Sequence, residues 1–158
     1  MTNDINNHHT KDSVIIYTDG ACSHNPGDGG WGVYLQWRDV EKKLSGFVAD
    51  TTNNRMELLA TIKALQALKK PMSVILYTDS AYVKNGIETW LKQWKAKNWK
   101  TANKKPVKNQ DLWQELEAVS NIHTVTWRWV KGHAGIKGNE IADKLATQAI
   151  IDNRGGIK

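Results

Sequence analysis

Two apolar segments of this 158-residue chain end alike: Ile15-Ile16-Tyr17-Thr18-Asp19-Gly20 and Ile75-Leu76-Tyr77-Thr78-Asp79-Ser80. A carboxylate just past the C-terminal end of a buried strand lies at the sheet edge, where α/β proteins build their sites. Taken singly, each aspartate reads better as ordinary turn or N-cap chemistry. Two of them after near-identical strands weaken that reading. Two further acids lie on amphipathic stretches, Glu57 one position ahead of Leu58 and Asp143 two positions after Ile141. Each alone reads as an exposed carboxylate on a helix, and periodicity does not by itself bring the four together. If they do meet, they repel, and some take up protons unless a cation neutralises them. Hard oxygen donors with no accompanying cysteine suit Mg²⁺ or Mn²⁺ better than zinc. Two such ions roughly 4 Å apart activate a water on one side and stabilise a leaving oxygen on the other, which is the chemistry of phosphodiester hydrolysis.

A second constellation points to a different task. Between Lys84 and Lys108 there are eight lysines (84, 92, 95, 97, 100, 104, 105 and 108) and one acid, Glu88, a local balance of +7 that exceeds the +6 of the whole chain. Trp90, Trp94 and Trp99 interleave with Lys95, Lys97 and Lys100, and Trp90 and Trp94 are spaced to share a helix face. One reading is a solvated charged helix whose tryptophans anchor it to the core. The other is a basic protrusion lying along a phosphate backbone, with indoles packing on sugars or bases and binding that weakens steeply with salt.

Bulk properties narrow the setting. The length suits one compact domain, and 40% hydrophobic with 24% charged residues fits a soluble globular protein. No segment approaches the ~20 apolar residues of a membrane helix. The polar start, MTNDINNHHTKDS, lacks the apolar core of a secretory signal. Residues 1–12 are expected to be a disordered leader in which His8 and His9 are incidental, and 153–158 a short C-terminal tail. A lone cysteine, Cys22, forms no intramolecular disulfide, so a reducing cytoplasm is the expected compartment. The net positive charge favours an anionic partner.

The elements that must position the acids follow from pattern. Val14–Thr18 is expected to be a buried strand, CSHNPGDGG (22–30) a loop, Trp31–Trp37 a second strand and Lys43–Ala49 a third. Leu58, Ile62, Leu65 and Leu68 predict a helix from Thr52 that stops before Pro71. Ser73–Thr78 is a fourth strand. Helical stretches follow from about Tyr82 to Lys97, with a break allowed within it, and over Asn109–Val119, then a strand over Thr124–Val130 and a last helix from Asn139 to about Ile151. The order βββ-α-β-α-α-α-β-α predicts a mixed sheet with helices against it.

The blocks YTDGACSHNPG, TTNNRMELLA, YTDSAYVKNGI, KPVKNQDLW and WVKGHAGIKGNEIAD occur in this order from about Val14 to about Ala149. Together they closely resemble bacterial type 1 ribonuclease H. The resemblance implies an α/β, ribonuclease H-like fold spanning residues 13–152, with a five-stranded mixed sheet of order 3-2-1-4-5 flanked by helices. It implies Asp19, Glu57, Asp79 and Asp143 as a catalytic quartet holding Mg²⁺, with Mn²⁺ able to substitute. His133, in the KGHAG loop, would assist catalysis and product release, and a solvated loop histidine is the alternative. Cys22, Asn25, Asn53 and Asn54 would read the RNA strand, whose 2′-hydroxyl both donates and accepts hydrogen bonds. Thr52 and Asn109 would hold a phosphate of the DNA strand, and Trp90, Trp94, Lys95, Lys97, Trp99 and Lys100 would form the basic protrusion. The implied activity is endonucleolytic hydrolysis of the RNA strand of RNA–DNA hybrids to 5′-phosphate and 3′-hydroxyl ends. A cytoplasmic monomer with no obligate protein partner is expected.

Three positions depart from the pattern. Ala81 stands where bacterial members often have Gln, Asp50 where a basic residue can support the phosphate pocket, and the loop after His133 reads AGIKGNE. Two other functions remain open on sequence: an inactive nucleic-acid-binding module, and another nuclease or integrase of the same fold that acts on DNA.

Overall fold

The computed structural model describes residues 12–101, 103–132 and 134–157, with the side chains from 154 onward left aside. The expected leader, apart from Asp12, and His133 therefore lie outside the described residues. The chain builds β1 (Val14–Cys22), β2 (Gly27–Trp37), β3 (Val40–Thr51), α1 (Asn53–Gln66), β4 (Ser73–Thr78) and α2 (Ala81–Asn85). A π-helical turn (Gly86–Trp90), α3 (Leu91–Ala96), α4 (Gln110–Ser120), β5 (Thr124–Trp129) and α5 (Lys137–Ile157) complete it. The sheet order is β3-β2-β1-β4-β5, as expected. β1, β2 and β3 pair antiparallel, and β4 runs parallel to both β1 and β5.

Alternation along the strands assigns the two faces. Val14 and Ile16 of β1, Val33 and Leu35 of β2, and Val74 and Leu76 of β4 face Leu58, Ile62 and Leu65 of α1 and Trp113 and Leu116 of α4, forming the main core. The opposite face carries α5. There Gly30 and Gly32 of β2 lie under Ala146 and Ala142, so close that a Cβ at either glycine would run into the helix backbone. This contact explains the largest departure from expectation. The glycine-rich segment expected to be a loop is mostly strand, with β1 reaching Cys22, β2 starting at Gly27, and a turn of only residues 23–26 between them. Glycine is depleted in strands on propensity alone, but here close helix packing requires it.

Other boundaries moved as well. β3 extends to Val40–Thr51, because its register with β2 continues to the Trp37–Val40 pair. The break allowed within Tyr82–Lys97 is a π turn, where Gly86 packs on the ring of Trp113. α5 continues past Ile151 through the expected tail to Ile157. Side-chain bonds four residues apart accompany the extension, from Gln148 Nε2 to Asp152 Oδ1 (2.7 Å) and from Asn153 Nδ2 to the Ala149 carbonyl (2.8 Å).

Candidate active site

The repeated strand ends meet by register. Parallel pairing sets Tyr17 opposite Tyr77, and their rings stack at 4.7 Å. Asp19 and Asp79 lie two residues further along adjacent strands, so the same register brings them side by side. Glu57 arrives from α1, and Gly20 makes this possible: a Cβ at Gly20 would collide with the backbone of Met56 and Glu57. Asp19, Glu57 and Asp79 each offer a carboxylate oxygen, and these oxygens lie within 4.8 Å of one another. Asp143, on α5, joins through a side-chain hydrogen bond with Asp19. All four acids expected from the sequence therefore converge on the C-terminal edge of β1 and β4.

The electrostatics show what such convergence costs. Asp19 is only 8% exposed. Burial first, then the charge of Asp79 and the hydrogen bond and charge of Asp143, push its carboxyl up to about 8, against an opposing hydrogen bond from the Gly20 amide. That amide donates to Asp19 Oδ1 at 2.9 Å. Burial and the charge of Asp79 raise Glu57 to about 7, while the Ser80 hydroxyl, donating to Glu57 Oε1 at 2.9 Å, works in the other direction. A partly buried all-oxygen donor set, in which Asp19 and Glu57 resist ionisation near neutral pH, fits a hard divalent cation, which would restore their charged forms. Asp19, Glu57 and Asp79 are the residues placed to hold it, with Asp143 adjoining.

Ser80 was not singled out from sequence as a site residue. Its hydroxyl also caps α2 by accepting from the Val83 amide at 3.1 Å, so one side chain both starts the helix and orients Glu57. A serine directly after a strand-end aspartate and before an amphipathic stretch was the available signal. Gly132 was missed too: its backbone runs so close that a Cβ would sit 2.9 Å from Asp79 Oδ2. Sequence alone carries no trace of that approach.

Next to the acids lies the junction of the β1–β2 turn and α1. Asn25 Oδ1 accepts from the Asn53 amide at 3.0 Å, and the Asn25–Pro26 peptide is cis. Thr52 caps α1, its hydroxyl accepting from the Arg55 amide at 3.3 Å. Cys22 Sγ points at backbone carbonyls, including that of His24 at 2.6 Å. Asn54, in the first turn of α1, is half-buried beside them. Cys22, Asn25, Thr52, Asn53 and Asn54 thus share one edge. Asn109, with left-handed backbone (φ 60°), is tied to this edge by Arg55, which donates to Asn109 Oδ1 (3.2 Å) and in bidentate fashion to Asp111 (3.0 and 2.8 Å). Arg55 was not predicted. It follows the capping threonine by three, a spacing that any first-turn residue shares.

The protrusion combines both of its sequence readings. Trp90, Trp94 and Trp99 form a half-buried row, with ring centroids 5.7 Å and 6.1 Å apart, and Trp94 also packs on buried Trp113 at 5.5 Å. Tyr82 holds the base: its hydroxyl accepts from Asn109 Nδ2 and Trp113 Nε1, each at 3.0 Å. The tryptophans therefore anchor the segment to the core. Lys97 and Lys100 are exposed, while Lys95 pairs with Glu117 of α4 at 2.8 Å.

A mixed α/β sheet with carboxylates gathered at the C-terminal ends of its two central strands defines a class of acid-centred, sheet-edge sites. Residues 11–151 match the RNase H family. The chain is 59% identical over 145 residues to a ribonuclease H of Francisella philomiragia, covering 92% of this chain and 95% of that one. It is 62% identical over 141 residues to a ribonuclease H of Rhodopseudomonas palustris, covering 89% and 91%. Among solved structures it is similar to LC9-RNase H1, a type 1 RNase H with the type 2 active-site motif. The TM-score there is 0.81 at 34% identity, over 90% of this chain and 74% of that one. The chain belongs to the RNase H family.

Proposed function

We propose that this protein hydrolyses the RNA strand of RNA–DNA hybrids endonucleolytically, leaving 5′-phosphate and 3′-hydroxyl ends. Asp19, Glu57, Asp79 and Asp143 are its metal-binding catalytic carboxylates, with Mg²⁺ as the working ion and Mn²⁺ as a substitute. The observation that carries this reading is the cluster of three acids within 4.8 Å, two of which resist ionisation near neutral pH. A binding module gains nothing from such repulsion. A divalent cation bound there supplies Lewis-acid activation of the attacking water and neutralises charge at the leaving oxygen.

The protein's own groups do the rest. Asp19 and Asp79 fix the donor oxygens through strand register, and Ser80 holds Glu57 in place. Asn25, Asn53 and Asn54, with Cys22, line the edge against which the 2′-hydroxyls of the RNA strand lie. Thr52 and Asn109, with Arg55 between them, receive a phosphate of the DNA strand. Trp90, Trp94, Trp99, Lys97 and Lys100 carry the hybrid beyond the cut, and Lys95 contributes less because Glu117 already pairs with it. His133 assists proton handling and product release, a role that rests on the family resemblance. The protein acts as a cytoplasmic monomer without an obligate protein partner, and no helix among the described residues is long and apolar enough to cross a membrane.

The test is to incubate labelled hybrid, duplex RNA and duplex DNA with Mg²⁺, with and without chelator. The expected result is chelator-sensitive cleavage of the hybrid's RNA strand alone. Cleavage of duplex DNA with the hybrid untouched would overturn the proposal in favour of a DNA-directed nuclease. Salt-sensitive binding without cleavage would leave only a binding module.

A further inference from the structure

Beside the acid cluster, between α2 and the ends of β4 and β5, lies a cleft of about 320 Å³. Asp79, Ala81, Lys84, Trp129 and Val130 line it. It shares no lining residue with the Thr52–Asn109 edge; Lys84 is the first lysine of the basic segment but precedes the Trp90–Trp99 row, and Trp129 has no role in the proposed function. We propose that this cleft binds a phosphate of the substrate backbone next to the one that is cut, with Lys84 as its cation and Trp129 as its wall.

Three observations carry the inference, which rests on the hybrid-cleaving reading above. Lys84 follows Ser80 and Ala81 by one helical turn, so it shares their face of α2 and lines the same cleft. Among the described residues no carboxylate lies within 4.0 Å of its ammonium, in contrast to Lys95 and Arg55, so its charge is not already matched by an ion pair. Trp129 is half-buried and stacked on Trp127 (5.8 Å between centroids, 13° between planes), which braces the indole as a fixed apolar wall.

The identity of the anion follows from the other wall. Asp79 would repel a free anion, so a small independent ligand is a poor occupant. A phosphate tethered to the reacting one is delivered at high effective concentration, and Lys84, a compact point charge on a flexible stem, meets it without demanding bidentate geometry. The contact therefore adds affinity and register for the polymer but no chemistry.

The experiment compares wild type with Lys84→Gln and Lys84→Arg on a hybrid with a single cut site, in Mg²⁺, over a salt series. Lys84→Gln is expected to raise KM about fivefold and to reduce the slope of log KM against log salt by about 1, as for loss of one phosphate contact. kcat should stay within about twofold, because the contact is not made to the reacting atoms. Lys84→Arg should restore most of the affinity. In a second arm, one neutral methylphosphonate is stepped through the RNA linkages flanking the cut. One position should weaken the wild type and have no further effect on Lys84→Gln. Unchanged KM and slope in Lys84→Gln, or equal effects of every methylphosphonate on both proteins, would overturn the subsite while leaving hybrid cleavage intact. Failure of the wild type to cleave the hybrid at all would overturn both.

Discussion

At the sheet edge, Asp19, Glu57 and Asp79 are fixed by backbone: strand register sets two of them, and a helix seated against Gly20 sets the third. In the protrusion the order is reversed. Its backbone departs from regular helix at the π turn, and side chains hold it, through the row Trp90, Trp94 and Trp99 and the hydrogen bonds converging on Tyr82. The first region concentrates like charge in a buried place, at a cost visible in the raised Asp19 and Glu57 carboxyls. The second spreads charge of the opposite sign over solvent-exposed lysines. In the proposed function, chemistry that tolerates little misplacement would sit on the part held by backbone. Grip on a long polyanion, which needs charge more than position, would sit on the part held by side chains.

The comparison breaks most easily at the acids. Asp19→Asn is expected to lower kcat on the order of 10³-fold with KM little changed, a size typical of losing a preorganised electrostatic group. Steady-state kinetics on a hybrid would read it, and a loss confined to KM would erase the distinction between the two regions. The seat of α5 comes next. Gly32→Ala should cost about 1–3 kcal/mol in urea unfolding through overpacking, and should lower kcat as well, because the displaced helix carries Asp143. Full stability in that variant would show that the close approach is not required.

Smaller effects sharpen the comparison. Lys97→Ala combined with Lys100→Ala should raise KM several-fold at moderate salt and flatten its salt dependence by about 0.7–0.9 per lost phosphate contact. No change would return both lysines to the status of a solvated face. The smallest effect is in stability against pH. Asp19 and Glu57 titrate at about 8 and about 7 in the fold, above their ordinary values of 3.8 and 4.5. Their contribution is thus fully present below those ordinary values and is lost as pH rises through about 7 and about 8. The metal-free protein should melt at a lower temperature at about pH 8 than at about pH 5, and Mg²⁺ should recover part of the loss at the higher pH. Asp19→Asn should flatten this dependence, and an equally steep curve in that variant would remove Asp19 as its source.

Much of this was legible in the sequence, for identifiable reasons. The twin YTD strand ends reported a true register match, and the ordered blocks supplied the sheet order and joined Glu57 and Asp143 to them. What stayed hidden depended on contacts between distant segments. Gly30 looked like a loop former, and the reason for Gly32 within its strand stayed hidden, because the helix that needs both lies more than 100 residues away. Arg55 and Ser80 looked like ordinary first-turn residues because their partners, Asn109, Asp111 and Glu57, are brought to them only by the fold. Lys95 looked like its neighbours until Glu117 of α4 was found against it.

The proposed division between chemistry and grip comes down to Asp79, which belongs to the acid cluster and also lines the cleft beside Lys84. Single-turnover cleavage by Asp79→Asn, with hybrid bound to saturation in Mg²⁺ and binding followed in the same mixture over a salt series, tests it directly. The account predicts binding with wild-type salt dependence and no appreciable cleavage of the RNA strand. Cleavage at a near-normal rate by the bound variant would contradict it.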